Sequence, residues 1–335
     1  MIEYILVLLA SIILLGVVVM IPVFKVVSAK YPYASVQARL RVMRKKLLGA
    51  DDFERLLDAD YTDIVYRLDK TVYPGLRELF GPDTSYAAVD SALRTKVVRD
   101  LLRVRTFSPP EVKGFVTALL RKYDILMIES IIRSSSFHDA SRRDIMGITE
   151  VFSEDYINRG DFSFQSLMTE LKGTKYSAIL EKHAESINQG KYRELEEELD
   201  LFYFQKLLSS ANTTLARSYV KKMIDIQNIS LALKGEKAKV PGGVIALESF
   251  TDDVVKVANE HGYKLSGDTP AEIERSAEKH VYDFGISCFS KDPLSDAPLV
   301  GYIVQSRTCA RNANILLKLK SKGLAKDAIK EVLVL

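Results

Sequence analysis

Cysteine is scarce: Cys288 and Cys309 are the only two in 335 residues. Two thiols make neither a disulfide framework nor a four-thiolate zinc site, and they suit a reducing cytoplasm. Histidine is nearly as rare. His138, His183, His261 and His280 show neither an H-x-x-x-H nor an H-E-x-x-H spacing, so they read as surface or cap residues rather than metal ligands. No G-x-x-x-x-G-K-[ST] occurs. Gly242-Gly243 is followed by Val244, which argues against a phosphate loop. Tryptophan is absent, and that absence excludes nothing. Alternating apolar and polar runs of the strand type are almost missing. Charge is not one-sided either. Past residue 30, the basic side chains (47 in the chain, less Lys25 and Lys30) nearly balance the acidic ones (44, less Glu3), so there is no electrostatic footprint for nucleic acid. The acidic run Glu194, Glu196, Glu197, Glu198 and Asp200 reads as a solvated helix face, since paired acid–base carboxylates would need burial to separate their pKa values. No catalytic, cofactor-binding or metal-binding residue emerges.

What is present begins at the N-terminus. Tyr4–Phe24 is 21 residues without a charge, long enough as a helix to span about 30 Å of hydrocarbon. A signal peptide is the rival reading. It is disfavoured by the missing basic n-region, the length of the run and the lack of a small-x-small site after Phe24. Lys25, Lys30, Arg39, Arg41, Arg44, Lys45 and Lys46 follow, which places the body in the cytoplasm under the positive-inside rule. A single-pass transmembrane helix in the cell membrane, in contact with lipid over Tyr4–Phe24, is therefore expected.

The remainder reads as helix throughout. Leu101, Leu102 and Val104, then Ile125, Ile128, Ile131 and Ile132, recur at helical spacing. Two helix starts carry clear capping chemistry: Ser108-Pro109-Pro110-Glu111 and Thr269-Pro270-Ala271-Glu272. Gly235–Gly243 is the clearest loop. Three segments at intervals of roughly a hundred residues share a pattern: Asp124–Arg133, Asp225–Lys234 and Arg311–Lys320 each have a polar first position, Ile at the fifth, an apolar ninth and a cation at the tenth. Chance likeness among amphipathic helices is one reading. The other is three helical units around a pseudo-threefold axis or in a stack.

Several stretches then resemble one family in order. Tyr31-Pro32-Tyr33-Ala34, followed by Arg39 to Leu48, is similar to the opening helix of the C subunits of archaeal A-type and bacterial V/A-type ATPases, a family that includes the eukaryotic V-ATPase d subunits. Phe53–Asp60 fits its second helix, and Leu201–Leu208 with Asp225–Asn228 fits its middle. The tail, from Pro298 and Gly301-Tyr302 through Arg311-Asn312 to Gly323-Leu324 and Ile329, Glu331 and Leu333, is the most specific match. The resemblance covers residues 31–335. It implies an all-α fold of three similar helical lobes forming a funnel, here preceded by the N-terminal transmembrane helix. The expected division is an anchor and flank at 1–30 and lobes at 31–134, 135–235 and 236–335.

The resemblance also implies a non-catalytic central-stalk role, in which the chain couples the shaft, made of the D and F subunits, to the proteolipid c-ring for rotary ion transport, with no cofactor. A membrane-tethered helical-repeat scaffold for unrelated partners is the alternative. Tyr31, Tyr33, Arg39, Arg41 and Arg44 are candidate residues next to membrane or ring. For the basic cluster three readings stay open: a solvated face, attraction to anionic headgroups at about 1 kcal/mol per cation, or pairing with an acidic partner loop. The two tyrosines read equally as an aromatic belt or as core.

Overall fold

The computed structural model describes residues 20, 28, 30–79, 86–133, 151–237, 239–250 and 253–335. Among the described residues every regular element is helical. The first helix, α1, runs over 30–44. It is followed by α2 (Ala50–Leu57), α3 (Tyr61–Thr71), α4 (Tyr86–Phe107) and α5 (Pro110–Arg133). Four short helices come next: α6 (Glu154–Arg159), α7 (Phe164–Glu170), α8 (Lys175–Lys182) and α9 (Ala184–Asn188). Then come α10 (Arg193–Ser210), α11 (Thr214–Leu233), α12 (Val254–Glu260), α13 (Pro270–Cys288), α14 (Ala297–Ser321) and α15 (Lys326–Lys330). Among the described residues no helix is long and apolar enough to cross a membrane. The span expected over Tyr4–Phe24 lies, Met20 apart, outside the described residues.

The six longest helices form three hairpins: α4 with α5, α10 with α11, and α13 with α14. The second helix of each hairpin packs on the first helix of the next, α5 on α10, α11 on α13 and α14 on α4, so the hairpins close into a ring. The repeated ten-residue segments lie at the C-terminal ends of α5, α11 and α14, the second helix of each hairpin. Polar bonds fasten each seam. Lys122 pairs with Asp200 between the first two hairpins. Arg307 donates to Tyr219 Oη at 2.9 Å between the second and third. Asn314 Nδ2 donates to Asp90 Oδ1 at 2.6 Å, and Tyr302 Oη to Asp100 Oδ2 at 3.2 Å, between the third and first.

The chain ends interlock. The C-terminal half of α14 buries Cys309, Ala313, Leu316 and Leu317 in one core with Phe53, Leu56, Leu57, Ile64 and Leu68 from α2 and α3. Each large aliphatic so buried contributes about 1.5–3 kcal/mol. Lys320 Nζ then donates to the carbonyls of Leu57 at 2.7 Å and Ala59 at 3.1 Å, satisfying groups that the end of α2 leaves open. Within the third hairpin, a Cβ on Gly301 would meet the Gly285 carbonyl at 2.8 Å, and one on Gly285 would meet Val304 Cγ1 at 2.4 Å. Backbones at this crossing approach more closely than any side chain allows.

The two expected helix starts differ. At Thr269 the capping box forms, with Glu272 N–H donating to Thr269 Oγ1 at 3.3 Å and Thr269 N–H to Glu272 Oε2 at 3.1 Å. Ser108 does not cap α5. Its hydroxyl turns back to the Val104 carbonyl at 2.7 Å and closes α4. With only two residues between the helices, Ser108 lies nearer the open carbonyls of α4 than the free N–H groups of α5, which begins at Pro110.

Candidate functional site: a hollow walled by three hairpins

The ring of hairpins encloses two adjoining cavities, of about 290 and 350 Å3, that share Lys122, Tyr203, Arg307 and Arg311 in their walls. The second helices supply Lys122 and Tyr123 from α5, Tyr219 and Met223 from α11, and Arg307 and Arg311 from α14. The first helices supply Arg94, Asp200, Tyr203 and Glu278. Most charges here are matched. Asp90 holds Arg94 at 2.8 Å, Asp200 pairs with Lys122, and Glu278 pairs with Arg311. Burial raises the Glu278 carboxyl above the ordinary carboxylate range, with Arg311 opposing that shift. Arg307 differs. Its Nη1 donates to Tyr219 Oη at 2.9 Å and Met223 Sδ at 3.2 Å, both neutral groups. Burial works against its charge, yet the oxygens of Tyr219, Tyr203 and Tyr123 keep its pKa raised.

A different chemistry marks the end where α5, α11 and α14 begin. Asp296 accepts from Thr213 Oγ1 and from Ala216 N–H at 3.2 Å, tying the starts of α11 and α14 together. Tyr33 lies close enough to Glu111, at the start of α5, and to Asp296 to feel both. Burial first and these carboxylates second push its phenol up to about 12. Lys30 reaches Asp292 at 3.1 Å. The N-terminal part of α1 thus shares one end of the molecule with the starts of all three second helices.

The five candidates from sequence divide here. Tyr31 is 75% exposed at that end, and Tyr33 is half-buried beside it. Arg39 is exposed, with its guanidinium 5.4 Å from the Phe107 ring centroid, and Arg41 is exposed. Arg44 turns into the body, 3.5 Å over the Phe289 ring, with Nε donating to Gln305 Oε1 at 3.1 Å. Burial lowers its pKa.

Two polar features outside the hollow fix the second and third hairpins. Asp225 is fully buried and accepts from Val244 N–H at 2.8 Å, Ile245 N–H at 3.1 Å and the Tyr263 hydroxyl. The Gly242-Gly243 loop makes this possible: a Cβ on Gly243 would sit 2.0 Å from Asp225 Oδ1. This glycine-rich loop wraps its backbone amides around the chain's own carboxylate rather than a phosphate. Three residues on, Asn228 gives Nδ2 to the Val240 carbonyl and takes the Val240 N–H on Oδ1, while Asn312 holds Val334 by the same pair of bonds.

The second feature is the contact of Lys222 Nζ with His280 Nε2 at 2.8 Å. Burial first, then Lys222, lower the His280 pKa. Lys264 adds to this and Asp283 opposes it. Lys222 is itself lowered by burial and held up by Asp225. A histidine kept neutral by folding binds more protons when unfolded, so its contribution is complete above about pH 6.5 and is lost as pH falls below that value through the folded pKa. The thermal midpoint is expected to fall between pH 7.5 and pH 5, and His280→Gln is expected to reduce that fall. An unchanged pH dependence in the variant would refute the assignment.

The acidic run on α10 is solvent-accessible, with Glu194 exposed, and its other carboxylates are laced with ion pairs. Glu196 pairs with Arg133, Glu197 with Arg193 and Lys239, Glu198 with Lys182 and His183, and Asp200 with Lys122. Hydrogen bonds from Lys239 and Lys182, respectively, head the causes that hold Glu197 and Glu198 below the ordinary range. Carboxylates held ionised in this way are poor proton donors. His138 lies outside the described residues, and among those described no group of three or more His, Cys, Asp or Glu side chains is placed to hold a metal.

With this geometry, comparison with known proteins gives one consistent result. The model of the family described as ATP synthase (C/AC39) subunit matches residues 36–332. The chain is similar to the C subunit of the A-type ATP synthase of Methanobrevibacter smithii, 23% identical over 97% of this chain and 94% of that protein. It is similar to the C subunit of the A-type ATP synthase of Thermococcus onnurineus, 24% identical over 90% of each, and to that of Methanosarcina barkeri, 23% identical over 92% and 93%.

Proposed function

From the premise that this chain belongs to the ATP synthase (C/AC39) subunit family, we propose that it is the non-catalytic rotor element that joins the shaft of D and F subunits to the proteolipid c-ring. One observation carries the reading: three hairpins close into a ring around a polar hollow, while the starts of their second helices gather at one end beside α1. The hollow receives the tip of the shaft, and the gathered end rests on the ring. The expected units at 31–134, 135–235 and 236–335 then correspond to one hairpin each. Stiffness follows from long packed helices and from polar bonds at every seam, so torque is passed on rather than dissipated as bending.

The end nearest Tyr31 and Tyr33 suits the ring for three reasons. Helix starts carry partial positive charge, which favours acidic or carbonyl-rich loops. Arg39 and Arg41 extend that character. The uncharged Tyr4–Phe24 run lies upstream of the same end and serves as an anchor on the rotation axis, inside the ring, because a span in bulk lipid would sweep past the stationary membrane subunit at every turn. The body lies in the cytoplasm.

Native mass measurement of the assembly purified through a tag on this chain tests the proposal. Co-purification of nucleotide-binding subunits, shaft and proteolipid is the expected result. Recovery of the chain alone from mild detergent would contradict it.

A further inference from the structure

We propose that Arg307 is the receptor for a single carboxylate, carried among apolar side chains on the protein segment that enters the hollow. This rests on the reading that the shaft tip occupies that hollow. Four cations face the two cavities, and three have acids of their own: Arg94 with Asp90, Lys122 with Asp200, Arg311 with Glu278. Arg307 has no carboxylate partner among the described residues. Glu278 lies near enough to feel its charge but is committed to Arg311. Among those residues the Arg307 guanidinium has only tyrosine and methionine contacts, which leaves one positive charge of the hollow unmatched until an acid joins it. Its planar fork is suited to a carboxylate approaching in the same plane.

The charge balance selects the ligand. One unmatched cation calls for a monoanion, whereas a phosphate would bring excess negative charge beside Asp90, Asp200 and Glu278. The walls select its carrier. Phe204, Met223 and Ile226 line one cavity, and Leu93, Leu119 and Leu126 line the other. Apolar side chains of the incoming segment fill these walls on either side of the charged contact. An Asp or Glu near a helix tip, or a terminal carboxylate after an apolar residue, meets both requirements.

The test uses the full chain in detergent and the shaft subassembly of D and F, with affinity read by calorimetry and folding by circular dichroism melts. Losing one member of a desolvated charge pair costs about 2 kcal/mol or more, so Arg307→Gln is expected to weaken binding by about thirtyfold or more. Arg307→Lys should recover part of the loss. Neutralising one particular shaft carboxylate should give the same loss and none further in the Arg307→Gln background. Should Arg307→Gln fold poorly, Arg307→Glu paired with Arg at that shaft position should restore binding. Undiminished binding by folded Arg307→Gln would overturn this proposal alone, as would losses that add for every shaft carboxylate. Failure of the wild-type chain to bind the shaft would overturn the shaft-in-hollow reading as well. Saturable binding of inorganic phosphate by the chain, abolished in Arg307→Gln, would replace the protein carboxylate by a small anion.

Discussion

Withdrawing this protein from the assembled ATP synthase is expected to leave ATP hydrolysis running while ATP-driven ion transport falls to background. On the proposed reading the chain contributes no group to nucleotide chemistry. Its glycine-rich loop is occupied by Asp225, and the α10 carboxylates are tied to lysine, arginine and histidine. On the same reading, what it supplies is a stiff link. A ring of hairpins resists shear because each helix of a pair is braced by a neighbour, and a gap at any seam would exchange rotation for deformation. The measurement is hydrolysis rate and ion uptake in the same proteoliposomes, with the complex depleted of the chain and then supplied with it. Restoration of uptake without change in hydrolysis is expected. Uptake that persists in the depleted complex would count against the coupling role.

Asp225→Ala is expected to lower the stability of the chain by about 3 kcal/mol or more. The carboxylate is buried and accepts from two backbone amides and one phenol, and each donor left buried without an acceptor costs about 1–3 kcal/mol. The loss reaches beyond one side chain. Tyr263 and Ile245 share the core that α11 makes with α12 and α13, so freeing them loosens the second and third hairpins where they meet. Asp225→Asn keeps one acceptor oxygen and should cost less. Urea denaturation checks both: the midpoint should fall in the order Asp, Asn, Ala at constant slope. Equal midpoints for Asp225→Ala and the wild type would show that water replaces the carboxylate.

Much of this architecture is legible in the sequence. The three repeated segments fall on the second helices because each hairpin must bury the same kind of stripe, and a shared burial pattern leaves a shared sequence pattern. The Thr269 cap is equally plain, since its partners lie within four residues. Legibility ends where distant segments meet. Gly242-Gly243 reads as a loop, but Asp225, the group it wraps, lies on the preceding helix and comes near only when α11 and the loop pack. Apart from Arg193, four residues before Glu197 on the same helix, the cations that answer the α10 carboxylates lie on α5, before α9 and beyond Gly235. Ser108 serves the wrong helix because the competing carbonyl at Val104 belongs to the helix before it. Arg44 carries no mark that it turns inward onto Phe289. Arg307 does leave a signal: with Val300, Val304 and Arg311 it recurs at helical spacing, so two cations interrupt a buried stripe. Both sides of the stripe must be known before that interruption means a hollow.

The coupling claim is tested most directly by photocrosslinking within the intact complex from two positions on this chain. Gln227 lines the hollow, and Tyr31 stands exposed at the end where the second helices begin. A photoreactive residue at Gln227 should label the shaft, and one at Tyr31 should label the proteolipid. Label on the stationary membrane subunit from Tyr31, or none on the shaft from Gln227, would contradict a rotor element seated between shaft and ring.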